Sequence, residues 1–344
     1  ALGVLLSSAV VPGPAGLVDL DGAGSVYVGA SSTRELYRYD ASLNLISSAA
    51  ASGSGSDSMI VIQALSPDAV YAGLGRFNGT DDDWSVQRFS LQTGGAPPPP
   101  VFTYSGSLPA GVAVNTTDNR NENLIAVTAD PGTGNLYAIA YSTTYGSIFP
   151  PTGEAVILKL NPSGVVLSSA VMQPLGTLAH TLAFDGGSIY VAANRGEPTI
   201  DTGIHRYDAN LNFLSSATLG VGAGGTMVAA RGGAIYAMLD GGPLFLGGNY
   251  PAQLIKYSPS LGEISRTTYS LPSTWQTHVK AGAIDAVGSL YVAVSSMAVN
   301  PTELVKFDTN LQPVASLDVS SLAGDPGFLQ LAYGSCKLYM YAAQ

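Results

Sequence analysis

The chain has 344 residues, of which 46% are apolar and only 11% charged; ordinary soluble domains carry roughly 25% charged residues, so charge-driven disorder is excluded and a large core can be buried. Its 41 glycines and 21 prolines suit many tight turns between short strands and argue against a helical bundle. A net charge of -10, with 14 Lys and Arg scattered along the chain, gives no electrostatic support for binding nucleic acid through its phosphates, and one cysteine permits no internal disulfide.

The stretch Ala1 to Val10 has the apolar character of a secretory leader but lacks an initiator Met and basic residues, so it reads as a mature N-terminus. No run of about 18 apolar residues follows, and no membrane-spanning helix is expected. From Leu17 onward one unit recurs. Its centre is a short apolar element around a tyrosine: Tyr27, Tyr71, Tyr137, Tyr190, Tyr236, Tyr291 and Tyr339, spaced by 44, 66, 53, 46, 55 and 48 residues. After the first six comes a second element with a basic residue in fixed register, as in Leu36-Tyr-Arg-Tyr-Asp40, Ile204-His-Arg-Tyr-Asp208 and Leu304-Val-Lys-Phe-Asp308. A turn and a third element then appear, as in Leu43-Asn-Leu-Ile-Ser-Ser48 and Gly164-Val-Val-Leu-Ser-Ser169, and an apolar stretch precedes each tyrosine element.

Four short strands per unit, separated by turn residues, predict the blades of a β-propeller. The expected fold is all-β, a single seven-bladed β-propeller domain over 1–344, with blades near 14–50, 57–108, 122–172, 177–219, 225–271, 278–320 and 328–344 plus 1–12. In this reading Gly3-Val-Leu-Leu-Ser-Ser-Ala-Val10, which matches Gly164 to Val171, joins the C-terminal blade as its outermost strand and closes the ring. The last unit has no segment of the Leu-x-Lys-Tyr-Asp type, so its blade is one strand short: the N-terminal strand moves in beside the Tyr339 strand to give a three-stranded blade, or a C-terminal tail is missing from the sequence, or, as the sharper alternative, a strand from a neighbouring subunit completes the blade by β-augmentation. Gly3, Val4, Leu5 and Leu6 on one side and Leu338, Tyr339, Met340 and Tyr341 on the other are the residues expected to carry such assembly. A mean hydropathy of +0.24 with few charges agrees with a surface partly buried by self-association.

The units, most clearly Ile189-Tyr-Val-Ala-Ala-Asn-Arg-Gly196 followed by Ile204-His-Arg-Tyr-Asp208, resemble YVTN and NHL-like propeller repeats over nearly the whole chain. That resemblance implies the fold, and spans enzymes, ligand sensors and surface scaffolds.

Long segments between the second and third strands, and between blades, are expected on one face, where binding usually resides. Trp84, Tyr141, Tyr145, Arg195, Tyr250 and Trp275 are its candidate contacts for a sugar or peptide. His180 and His278 near the channel mouth, with Glu197 and Asp201, are the candidate acid–base groups of a propeller enzyme, a lyase or hydrolase; no His-x-His or His-Glu-x-x-His spacing supports a metal. Asp81 and Asp83 form a weak calcium candidate, since consecutive acids cannot all face one ion. Sequons at Asn78 and Asn115 suggest a secreted glycoprotein. Cys336 is expected to be buried or inert. The chain thus reads as an extracellular or cell-surface structural or interaction propeller, without a cofactor, self-associating, with enzyme or carbohydrate-binding module as the alternative.

Overall fold

The computed structural model describes residues 7–12, 15–53, 57–76, 84–92, 100, 102–106, 120–144, 153–172, 177–195, 201–221, 226–240, 251–271, 277–296, 302–321, 329–334 and 336–342. Within them the chain forms strands only, and no helix is long and apolar enough to cross a membrane.

Six antiparallel four-stranded sheets follow one another. Blade 1 holds β1 (Ala15–Leu20), β2 (Val26–Ala30), β3 (Glu35–Tyr39) and β4 (Leu45–Ala50); blade 2 holds β5 (Asp57–Ser66), β6 (Ala69–Arg76), β7 (Trp84–Phe89) and β8 (Phe102–Gly106). Blade 3 holds β9 (Arg120–Ala129), β10 (Leu136–Thr144), β11 (Gly153–Leu160) and β12 (Val166–Val171); blade 4 holds β13 (Thr177–Asp185), β14 (Ser188–Arg195), β15 (Asp201–Asp208) and β16 (Phe213–Val221). Blade 5 holds β17 (Thr226–Arg231), β18 (Ala234–Leu239), β19 (Ala252–Tyr257) and β20 (Glu263–Tyr269); blade 6 holds β21 (Thr277–Ile284), β22 (Leu290–Ser296), β23 (Thr302–Phe307) and β24 (Pro313–Asp318). A two-stranded sheet of β25 (Leu329–Gly334) and β26 (Lys337–Ala342) comes last. The first strand of each sheet packs on the first strand of the next, and β25 packs on both β21 and β1, which closes the ring.

The propeller therefore has six blades, not the expected seven. The last unit supplies only an inner pair of strands, and among the described residues nothing pairs with the outer side of β26. Closure by the N-terminal segment is likewise corrected: residues 7–12 form no strand, and Gly3, Val4, Leu5 and Leu6 lie outside the described residues. The physical reason lies in the partner. The matching segment in blade 3 is held by a third strand, with Ser168 opposite Lys159, and Ser47 and Ser215 stand likewise opposite Arg38 and Arg206. Among the described residues the last unit shows no such strand.

Each second strand is buried on both faces, so its tyrosine becomes inter-blade core. Tyr27, Tyr71, Tyr137 and Tyr236 are fully buried, and the Tyr137, Tyr190 and Tyr236 hydroxyls donate to Ala209 O (3.1 Å), Pro259 O (2.9 Å) and Gly288 O (2.6 Å) of the following blade. The basic residue of the third strand covers the ring: Lys159, Lys256 and Lys306 sit 6.0, 5.7 and 4.8 Å above Tyr137, Tyr236 and Tyr291. The two-stranded sheet repeats this linkage, because Lys337 Nζ donates to Ala41 O of blade 1 at 2.8 Å. Inner strands are laced similarly. Side chains of one unit accept a backbone N–H of the next, as Asp19 does from Ala64 (2.7 Å), Thr181 from Val228 (2.8 Å) and Gln330 from Val18 (2.9 Å).

The turns between third and fourth strands share one device. Asp40, Asp208 and Asp308 each use Oδ1 to accept the N–H groups two and four residues on, within 2.8–2.9 Å. The turn then places Leu43, Leu211 and Leu311 at φ of 65°, 68° and 61°, a left-handed conformation that a branched side chain adopts only under constraint. Burial supplies the constraint, since Leu211 and Leu311 are 5% and 0% exposed. Leu311→Gly would relieve roughly 1–2 kcal/mol of strain but remove packing worth about 2–5 kcal/mol. Thermal unfolding is expected to show a net loss, and a higher Tm would show that the turn rather than the packing decides.

Candidate functional site

The inner strands carry a bulge at one recurring place, near their start. The register slips at Ile60 in β5, Ile125 in β9, His180 in β13 and Lys280 in β21, and a bulge re-aims the extra side chain. His180 is thus displaced from the regular pleat. His278 lies two residues before Lys280, paired with Ser295 of β22. The two histidines belong to blades 4 and 6, and blade 5 between them supplies Asp240, one residue past β18.

Asp240 joins the group together. Its Oδ1 accepts the Val279 N–H at 2.6 Å, and its Oδ2 lies 3.1 Å from His278 Nδ1. A carboxylate only accepts, so Nδ1 carries the proton and Nε2 of a neutral His278 carries the lone pair. The His278 and Asp240 side chains are 11% and 17% exposed. Burial pushes the His180 imidazole below its usual range, and the negative charge of Asp240 opposes that shift. Nε2 of His180 and Nε2 of His278 are both buried without a hydrogen-bond partner among the described residues, as are the hydroxyls of Ser295 and Thr302, which follow His278 in cross-strand register. The described geometry is a histidine, His278, oriented by a carboxylate whose charge also reaches His180, with the buried hydroxyls of Ser295 and Thr302 in register with His278. Among the described residues no group of three or more His, Cys, Asp or Glu is arranged to hold a metal ion.

Asp240 is not visible as a site residue in the sequence. The signal is positional: it stands four residues after Tyr236, as Ser31 does after Tyr27, and Ser31 Oγ also ties its blade to the next, donating to Met59 O at 2.8 Å. A tie between blades is therefore part of what Asp240 does.

The other candidates are scattered. Trp84 is 2% exposed in β7, in the core between blades 2 and 3 with Tyr71 and Leu124, so it is not presented on a binding face. Tyr141 and Arg195 lie in β10 and β14 and Asp201 opens β15, with their side chains outside the described set. Tyr145, Glu197, Tyr250, Trp275, Asn78, Asn115, Asp81 and Asp83 lie outside the described residues altogether. His205, in β15 and 7% exposed, has its imidazole pushed down by burial and joins no polar cluster. Cys336 is exposed rather than buried, in the turn between β25 and β26.

The chain matches no protein-family model and no curated protein. Solved structures do resemble it. Virginiamycin B lyase from Staphylococcus aureus aligns with TM-score 0.56 and 9% identity over 96% of this chain and 92% of that one. A europium-containing methanol dehydrogenase aligns with TM-score 0.53 and 10% identity over 92% and 70%. BBS1N, in a complex with ARL6DN, aligns with TM-score 0.50 and 12% identity over 93% and 84%. At such identities the likeness extends to architecture alone: the chain is an all-β propeller built from repeats.

Proposed function

We propose that the protein is a secreted or cell-surface structural propeller that associates with copies of itself. The observation that carries this reading is the outer edge of β26, which no strand pairs with among the described residues, in a ring whose six other sheets each have four strands. Free backbone N–H and C=O groups along such an edge are a template for pairing with another chain. Four of the six outermost strands support the same reading. β4, β8, β12 and β16 contain no charged residue, although Lys or Asp at such positions is the usual protection against edge pairing, and Leu45, Leu167 and Phe213 on them are about half exposed. Negative-stain microscopy and light scattering of the purified chain test the proposal. Filaments or ordered oligomers are expected, and discrete discs at every concentration would overturn it.

One observation favours a second reading, an enzyme acting at the channel mouth: the oriented His278–Asp240 pair. Virginiamycin B lyase supports it by analogy of fold, since a His-to-Ala variant of that lyase is catalytically inactive. Virginiamycin B is the direct probe. On this reading the intact chain consumes it in a chromatographic assay and His278→Asn abolishes the reaction while assembly continues; no consumption by the intact chain would remove the support that the lyase lends.

A further inference from the structure

If copies of the chain associate as proposed, a strand has to pass from one copy to the next, and the repeats identify which. A large aliphatic residue followed by Ser-Ser-Ala occurs four times, at Leu6–Ala9, Ile46–Ala49, Leu167–Ala170 and Leu214–Ala217. Three of these lie in the outermost strands β4, β12 and β16, each hydrogen-bonded to the third strand of its blade. The fourth is different. Its described part, Ser7 to Val10, forms no strand and is exposed, with Val10 at 96%. Yet Gly3 to Val10 equals Gly164 to Val171 at seven of eight positions, and Val171 is half-buried and paired with Val156.

Among the described residues the chain therefore presents a strand-forming sequence whose described part, Ser7 to Val10, joins no sheet, and a sheet that is two strands shorter than the other six. Both sit at the same place on the ring. Val11 packs in the cluster that contains Tyr37, Tyr39 and Tyr339, and the Tyr37 hydroxyl, which donates to Glu35, lies 3.4 Å from Pro12 O, so Val11 and Pro12 sit at the seam between blade 1 and the two-stranded sheet. Leu338 and Met340 of β26 are half-buried against β25 and blade 6, so the strand is already held flat for a partner.

We infer that residues 3–10 of one copy add as a strand to the outer edge of β26 of a second copy. Backbone hydrogen bonds supply the affinity in such strand addition, and alternate side chains supply the fit. By the match to β12, where Val166, Ser168 and Ala170 are the less exposed residues, Leu5, Ser7 and Ala9 are the side chains expected to face the sheet. Donor and acceptor are different surfaces, so the contact is heterologous and propagates as a chain rather than closing on itself.

Three samples test this: the intact chain, its Ser8→Pro variant, and the intact chain with an excess of a synthetic peptide of residues 3–10. Proline at position 8 removes a backbone donor from the added strand, and Ser8 is itself exposed and in no strand. Assembly of the intact chain is expected by light scattering, with loss in Ser8→Pro and inhibition by the peptide. Amide exchange over Lys337–Ala342 should be slower by roughly tenfold or more in assembled than in Ser8→Pro protein, with unchanged thermal unfolding of the ring as the control. Undiminished assembly of Ser8→Pro overturns this inference and leaves self-association standing. An intact monomer in which these amides are protected, and lose protection in Ser8→Pro, shows pairing within one chain and overturns both.

Discussion

Tyr236→Ala is expected to destabilise the protein by about 3–5 kcal/mol, the range for removing a fully buried aromatic side chain, and Tyr236→Phe by only about 1 kcal/mol. The gap follows from what the residue touches. Tyr236 is 0% exposed between blades 5 and 6, within a cluster that includes Val292, Phe307 and Leu311. Alanine leaves a cavity there, because both flanking sheets are fixed by their own hydrogen bonds and cannot close over it. Phenylalanine keeps the packed ring and forfeits one hydrogen bond, the 2.6 Å contact to Gly288 O. Burial pushes the Tyr236 hydroxyl up to about 12, so it stays a protonated donor throughout the accessible pH range. Lys256 Nζ, 5.7 Å above the ring, retains its bond to Thr309 O in the phenylalanine variant. Urea unfolding of both variants at neutral pH separates the contributions. Equal losses would show that the hydroxyl link, rather than the aromatic volume, holds neighbouring blades together.

That core is legible in the sequence because the second strands are buried on both faces, and a repeated tyrosine between small or β-branched residues is the signature of such a strand. The number of blades is not. A tyrosine unit reports an inner pair of strands, and Leu338-Tyr339 reports one faithfully, but a blade also needs third and fourth strands, and among the described residues the last unit shows neither. The N-terminal segment misleads for a related reason: residues 5–10 match β12 at five of six positions, and sequence specifies a willingness to pair without specifying a partner. Trp84 stands beside an acidic, loop-like stretch, yet Trp84 to Phe89 has the same burial pattern as Ala252 to Tyr257 and Thr302 to Phe307. Aligning those three strands places Trp84 at a position that is always buried. Asp240 is harder to find. A single acid after β18 acquires meaning only when the ring brings it against β21, a contact 39 residues away along the chain. The two histidines are candidates from their place at the starts of inner strands, but their shared neighbour depends on ring geometry that no local pattern encodes.

Asp19 governs the second large effect, a fall in stability as pH rises from about 4 to about 7. It lies on β1 with its Oδ2 accepting from Gln63 Nε2 at 2.9 Å and Ala64 N at 2.7 Å. Burial pushes its carboxyl up to about 7, with the charge of Asp21 adding to the rise, while bonds from the Ala64 and Leu20 backbone oppose it. Between the ordinary carboxylate value and that raised one, the folded chain holds a proton that the unfolded chain has released. Unfolding then releases protons, so the contribution of this group is complete below about pH 4 and is lost by about pH 7, with a slope of up to about 1.4 kcal/mol per pH unit. His180 and His205 act in the opposite direction. Burial lowers both, so the unfolded chain binds more protons below about pH 6.5, and their contribution is lost as pH falls. The two effects overlap near pH 6, and the wild-type profile alone does not separate them. Asp19→Asn does. Its amide oxygen still accepts from Ala64, it never ionises, and it leaves both histidines untouched. The variant is expected to be more stable than wild type by about 1–3 kcal/mol at pH 8, with the advantage shrinking towards zero at pH 4, measured as the difference in urea midpoint at pH 4, 6 and 8. A constant difference across that range would mean that Asp19 has the same proton affinity in the folded and unfolded chain, and that the lacing of β1 to β5 carries no buried proton.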